Sequence, residues 1–344
     1  MLVSLTSERS MPATNPSRFA STSKTSRPFT SVMSAIEGNT SCAAATLATR
    51  HQIDTMLDTS AERTTLPRNR RESVMRRFIR SATFTLLIFA GASPALSHEL
   101  WIEPLQWQAG PGDQLQADLV NGQEFEGNRL PYLADHIAQF NLYSESRATR
   151  VQSRAGARPA MDSPAHGEGL HIAAYQSTPS TLTYEEWDAF LRFAEHKDLG
   201  DVAAMHEARG LPQTDFVETY TRFSKALIAV ADGMGSDRRL GLETEIVALD
   251  NPYTAGADAI RVQLFYQGGV RAEEQIEIFD RSPSGDVTVT TTRTDAEGIA
   301  TIPVTAGHDY MLDAVVLREP TSRLVEGTGA VWETLWANLT FHVP

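Results

Sequence analysis

The chain has 344 residues, one cysteine (Cys42) and a formal net charge of −13. This excess of acid excludes partners bound through phosphate charge, nucleic acid and anionic lipid surfaces alike, because the chain repels both. A single thiol excludes an intrachain disulfide framework and a thiolate metal cluster.

Residues 1–74 are rich in Ser, Thr, Ala and Arg and show no hydrophobic period, so they cannot bury a core. Two readings stay open for them: a start assigned upstream of a true start at Met75, or a disordered or transit-type extension. Residues 75–97 read as a secretory signal. Arg76, Arg77 and Arg80 follow Met75, "SATFTLLIFAGA" is a short apolar run, and Ala95-Leu96-Ser97 fits small-x-small cleavage. The run is shorter than the roughly 20 residues that span a bilayer. The expectation is cleavage after Ser97, a periplasmic protein that begins at His98, and no transmembrane helix in the mature chain. From His98 onward there are 18 basic and 37 acidic side chains and eight of the nine histidines.

The rest predicts a mainly β chain of Ig-like sandwich domains, with a small helical subdomain inserted in the N-terminal part. Residues 98–250 form the first β domain. Leu115–Val120, "HIAQFNLY" and "GLHIAAYQS" alternate as strands do, and "NGQEFEGNRLPY" reads as a loop. Over about 183–230, three segments have helical spacing. "TYEEWDAFLRFAEHKDLG" carries Thr183 and Glu186 as a capping box. "DVAAMHEARG" ends at Gly210, and "TDFVETYTRFSKALIAV" places Phe216, Tyr220, Phe223 and Leu227 on one helix face. A domain boundary falls near Pro252. Residues 251–344 then hold six or seven short strands with turns at "SPSGD" and "TDAEG", the spacing of a small sandwich. "TDAEGIATIPVTAGHDYML" resembles Ig-like modules of transthyretin type.

Six pieces, "SHELWIEP", "NGQEFEG", "HEARGLP" with "FVETYTRFSKALI", "EIVALDNPY" and "WETLWANLTFHVP", together resemble a bacterial periplasmic family described as nickel-transport-complex, NikM-like proteins. The resemblance implies a secreted metal-handling role in nickel or cobalt uptake. A permease role does not fit a chain with no apolar span after residue 97, which leaves an accessory to a membrane uptake system.

The residues carry their own metal argument. Cleavage after Ser97 gives His98 a free α-amine beside its imidazole, and one residue then chelates through two nitrogens. A second histidine would complete a three-nitrogen site of the kind that suits Cu(II) or Ni(II). His206, in "MHEARGLP", is the first candidate and His171, in "GLHIAAYQ", the second; His308 lies in a turn. The plainer readings are a helix-end histidine bonded to carbonyls for His206 and a residue that simply follows the cut for His98. Glu99 and Glu103 are expected on a solvated strand face, and Trp101, Trp187, Trp332 and Trp336 in the core. Nothing marks an enzyme: there is no G-x-S-x-G, and "GMGSDRRLG" lacks a P-loop lysine. The leading expectation is therefore a periplasmic binder of Ni(II), Co(II) or Cu(II) with ligands His98, His206 and His171. The alternative is a metal-independent Ig-like recognition or scaffold module.

Overall fold

Strands dominate the residues that the computed structural model describes, 98–344 apart from 255 and 257. The expected leader and the 1–74 extension lie outside the described residues. In chain order the first strands are β1 (Glu99–Pro104), β2 (Gln108–Ala109), β3 (Gln114–Gln123), β4 (Glu126–Leu130), β5 (Ile137–Tyr143), β6 (Ala148–Arg150), β7 (Met161–Pro164), β8 (Gly169–Ser177) and β9 (Ser180–Tyr184). Two helices follow, α1 (Trp187–His196) and α2 (Val202–Ala208), and then β10 (Phe216–Val230), β11 (Thr244–Ala248) and β12 (Ala259–Tyr266). The chain continues through β13 (Gly269–Val270), β14 (Gln275–Arg281), β15 (Val287–Arg293), β16 (Ile299–Pro303) and β17 (Asp309–Arg318). A short helix α3 (Ser322–Thr328) precedes the last strand, β18 (Ala330–His342).

A ten-stranded sheet is the backbone of the fold, in the order β15-β14-β17-β18-β10-β8-β5-β6, with β2 and β9 also paired to β10. β10 and β18 run parallel at its centre. A second sheet joins β1, β3, β4 and β7, and a third joins β11, β12, β13 and β16. The central sheet packs against the third sheet through Leu227, Leu312 and Leu339 on Ile246, Val262 and Ile302. Elsewhere Phe140, Tyr175 and Ile228 meet Leu100, Leu115 and Leu119 of the second sheet. α1 and α2 cover Trp332 and Trp336 with Phe190, Phe193 and Val202.

The segment expected as a third helix is β10. Its Phe216, Tyr220, Phe223 and Leu227 are spaced for a helix face, yet Thr221, Lys225 and Ile228, which lie off that face, are buried as well. A helix would leave such residues outside the apolar stripe, whereas a central strand covered on both faces buries all of them. β-Branched Val217, Thr219, Thr221, Ile228 and Val230 reinforce the strand. The helical insertion therefore ends at Ala208. Its first helix also starts later than the capping box implied: Glu186 is the N-cap and its side chain makes no capping bond. Asp201 does cap α2, accepting from the Ala204 N–H at 2.9 Å.

Pro252 lies in the connection between β11 and β12, but the central sheet crosses that point, drawing β10, β8 and β5 from one side and β14, β17 and β18 from the other. The described residues all belong to one compact unit. The C-terminal turns form as expected. Asp295 Oδ1 accepts from the N–H groups of Glu297 and Ile299 at 3.0 and 2.8 Å, and the Ser282 N–H bonds the Asp286 carbonyl at 2.9 Å.

Candidate functional site

One face of the central sheet carries a buried polar row. Glu277 pairs with Asp313, Asp313 with Asn338, and Asn338 with Ser224, across β14, β17, β18 and β10. Directly paired residues share a face, so the four side chains lie side by side. Glu99 of β1 descends on this row, and its carboxylate converges with those of Glu277 and Asp313, ligand atoms all within 4.8 Å of one another. Among the described residues, no other three His, Cys, Asp or Glu side chains converge in this way.

Three buried carboxylates are tolerable only with a counter-charge. Lys197, just after α1, supplies it. Its Nζ lies 2.8 Å from Glu99 Oε1 and 3.2 Å from Asp313 Oδ2, and it also bonds Glu277. The ammonium sits 4.7 Å from the Trp336 ring centroid. The chain thus places its own cation where an ion would otherwise be bound. His196 extends the cluster towards solvent, its Nε2 2.7 Å from Glu277 Oε1. Burial disfavours the Lys197 ammonium, but Asp313, Glu99 and Glu277 outweigh it and raise its pKa above the ordinary range. His196 is raised by its bond to Glu277. Burial pushes Asp313 up to about 6, partly offset by Lys197.

The row continues along β10 and β18. Arg222 lies 3.8 Å over the Trp336 ring and 4.8 Å over that of Tyr220. Burial holds its guanidinium below the ordinary value, and Asp313, Tyr220, Glu99 and Glu218 offset this only in part. Glu218 accepts from the Thr334 hydroxyl, and burial raises its carboxyl to about 7 against the pull of Thr334, Tyr184 and Arg222.

The histidines singled out from the sequence do not come together. His206 is buried with both ring nitrogens engaged: Nδ1 accepts from Trp332 Nε1–H at 3.0 Å and Nε2 donates to the Pro212 carbonyl at 2.8 Å. His171 is also buried; Nε2 accepts from the His166 N–H at 3.0 Å and Nδ1 donates to the Gly169 carbonyl at 3.1 Å. Burial lowers its pKa. Neither ring keeps a lone pair for a metal. His308 bonds Asp280 through Nδ1 at 2.6 Å. His98 is exposed, at the head of β1.

His98 borders an open groove with Glu124, Glu126, Asn121, Gln123 and Asp286. The wall of this groove is the two-residue hairpin between β3 and β4, in which Gln123 pairs with Glu126. Glu124 and Phe125 both have positive φ, 52° and 62°, as such tight hairpins require. Neither is glycine, so the turn is strained. Behind it Gly122 and Gly127 face each other. A Cβ on Gly122 would stand 2.0 Å from the Glu126 carbonyl oxygen, so the strands approach this closely only with glycine there. "NGQEFEG" is therefore a hairpin, and Phe125 packs edge-on against Trp101 at 5.9 Å.

Glu99 and Glu103, expected on a wet face, are turned inward: Glu99 is buried and Glu103 pairs with Arg281 at 2.6 Å. The sequence reasoning passed over Lys197, Glu277, Asp313 and Asn338. Their signal was present as single polar residues inside apolar runs, Asp313 in "YMLDAVVL" and Asn338 in "LWANLTF".

Fold and site together define a three-sheet β protein with an ionic seam buried in its core and a histidine at the head of a fixed strand. The chain belongs to the family of the domain of unknown function DUF4198, whose profile matches residues 95–318. That match carries no tie to nickel transport, so the narrower NikM-like resemblance rests on the sequence pieces alone. No match is found among curated proteins. Among solved structures the chain is similar to a "Biofilm associated protein - BSP domain", at 12% identity and a TM-score of 0.15, covering 70% of this chain and 29% of that one. The chain thus spans less than a third of that protein's length. No helix among the described residues is long and apolar enough to cross a membrane.

Proposed function

We propose that the protein is an extracytoplasmic binder of a divalent transition-metal ion, Ni(II), Co(II) or Cu(II), acting as an accessory to an uptake system. The ligand centre is His98, through its imidazole and the α-amine that cleavage after Ser97 would release. One observation carries this reading. His98 stands exposed on a rigid mount, the head of a buried strand, beside a groove bearing Glu124, Glu126 and Asp286. Glu99, the next residue, is pinned by Lys197 at 2.8 Å, and it pairs in register with Gly122. The strained Glu124–Phe125 turn supports the same place, since such strain gathers at functional sites.

A carboxylate of the groove, rather than His206 and His171, would supply the remaining donor beside the imidazole and the amine of His98. Mixed nitrogen and oxygen donors suit borderline divalent ions. The amine must lose its proton to bind, so affinity falls as pH drops below about 8. The test is calorimetric titration with Ni(II) and Cu(II) of a chain beginning at His98. A second chain keeps Ser97 ahead of it, and a third carries Glu126→Gln and Asp286→Asn. The retained serine is expected to weaken binding by about a hundredfold and the double variant by about tenfold. His206→Ala and His171→Ala leave the affinity unchanged. Equal affinity with and without Ser97 would sink the proposal.

A further inference from the structure

We propose that the cavity between the second sheet and the β8–β10 part of the central sheet binds a small organic anion, a monocarboxylate with a compact apolar body. The cavity measures about 270 Å³, and Leu100, Leu119, Ile137 and Tyr175 wall it, with Arg222 and Ser177 among its lining residues. Leu133, 39% exposed, marks its mouth. It does not depend on the metal reading; the linings of the cavity and of the His98 groove have only Asn121 in common.

The size limits the occupant. Pockets for drug-sized ligands hold about 300–1,000 Å³, so this one admits a single ring or a short branched chain. The apolar walls select the body. The polar end selects the head group. Arg222 is 97% buried at 3% relative exposure, and its flat guanidinium is stacked on Trp336 and Tyr220 at 3.8 and 4.8 Å. Stacking on rings fixes the guanidinium plane, and a fixed plane suits a planar carboxylate. Ser177 Oγ accepts from the backbone N–H of Arg222 at 3.0 Å, and its own proton can be donated to a ligand. Asn121 adds an amide donor at the same cavity.

Burial holds the Arg222 guanidinium below its ordinary value, and Asp313, Tyr220, Glu99 and Glu218 offset this only in part. Tyr175 feels the same guanidinium: burial pushes its phenol up to about 12, and Arg222 pulls it back. Its hydroxyl already donates to the His136 carbonyl at 3.2 Å, which leaves its ring as wall.

The test is calorimetric titration of the full chain with sodium phenylacetate and sodium 4-methylpentanoate, and with the neutral isostere phenylacetamide. At least one carboxylate is expected to bind, with phenylacetamide about tenfold or more weaker. Leu133→Trp, a change at the exposed mouth that leaves Arg222 untouched, is expected to weaken the carboxylate by a similar factor at an unchanged melting temperature. Ser177→Ala weakens it several-fold. No binding by either carboxylate overturns the proposal. Equal binding of the amide overturns the assignment of an anion, and undiminished binding by Leu133→Trp overturns the assignment of the cavity.

Discussion

Lys197 shows how one residue can hold a core that would otherwise repel itself. With its ammonium removed, Glu99, Glu277 and Asp313 remain buried within 4.8 Å of one another, and breaking a buried pair in this way costs about 3–5 kcal/mol. Lys197→Met is expected to lose that much stability in urea unfolding, and a loss under about 1 kcal/mol would mean that the carboxylates are already protonated. Glu218 contributes a pH dependence. Its folded pKa is raised, by burial, to about 7, so the folded state holds a proton that the unfolded chain releases above its ordinary value of about 4.3. Stability therefore falls as pH rises from about 4.5 to 7, by about 3 kcal/mol from this group alone. Asp313, raised to about 6, and His196, also raised, act in the same direction. Glu277 and Asp309, both lowered, act in the opposite sense and only at more acid pH. Glu218→Gln keeps an acceptor for Thr334 and is expected to flatten the decline of melting temperature between pH 5 and 7.5. An unaltered slope would assign the titration to other groups.

At the scale of elements, β10 decides the architecture. Leu227 and Ile228 point to opposite faces, and both are fully buried, one against the third sheet and one against the second. Truncating either to Ala is expected to cost about 2–5 kcal/mol. An amphipathic helix would make one substitution severe and its neighbour mild, so paired unfolding curves distinguish the two. The helices α1 and α2 have a different task. They place Lys197 over the carboxylates and close Trp332 and Trp336 from water, with His206 as the hydrogen-bonded plug between Trp332 and Pro212. His206→Ala is accordingly expected to lower the melting temperature while leaving metal affinity alone.

At the scale of the molecule, the central sheet draws strands from both apparent halves. β10 from the first half and β18 from the second pair along ten registered positions. Residues 251–344 expressed alone would expose the β18 edge and its buried Asn338, Thr340 and Trp336, and are expected to show no cooperative melting. The whole chain from His98 should unfold in a single calorimetric transition. Two separable transitions would restore the boundary near Pro252 as a true domain border.

Alternating strands and turn residues were readable from local chemistry, because period and turn geometry are written in adjacent residues. The mainly β class, the helices α1 and α2 and the turns at Asp295 and Ser282 follow from them. The glycines of "NGQEFEG" were visible, but the need for them lies in the close approach of two strands, where a Cβ on Gly122 would stand 2.0 Å from the Glu126 carbonyl oxygen. β10 could not be read, since helical spacing and two-sided burial share the same apolar residues and only neighbours on both faces separate them. The seam was equally hidden. Glu99, Lys197, Glu277 and Asp313 come from four distant parts of the chain, and their meeting depends on sheet order and register. The sequence by itself determined where the chain turns and most of the segments that extend; the tertiary structure alone decided that β10 is a strand and which polar groups face one another out of water, because both depend on long-range packing.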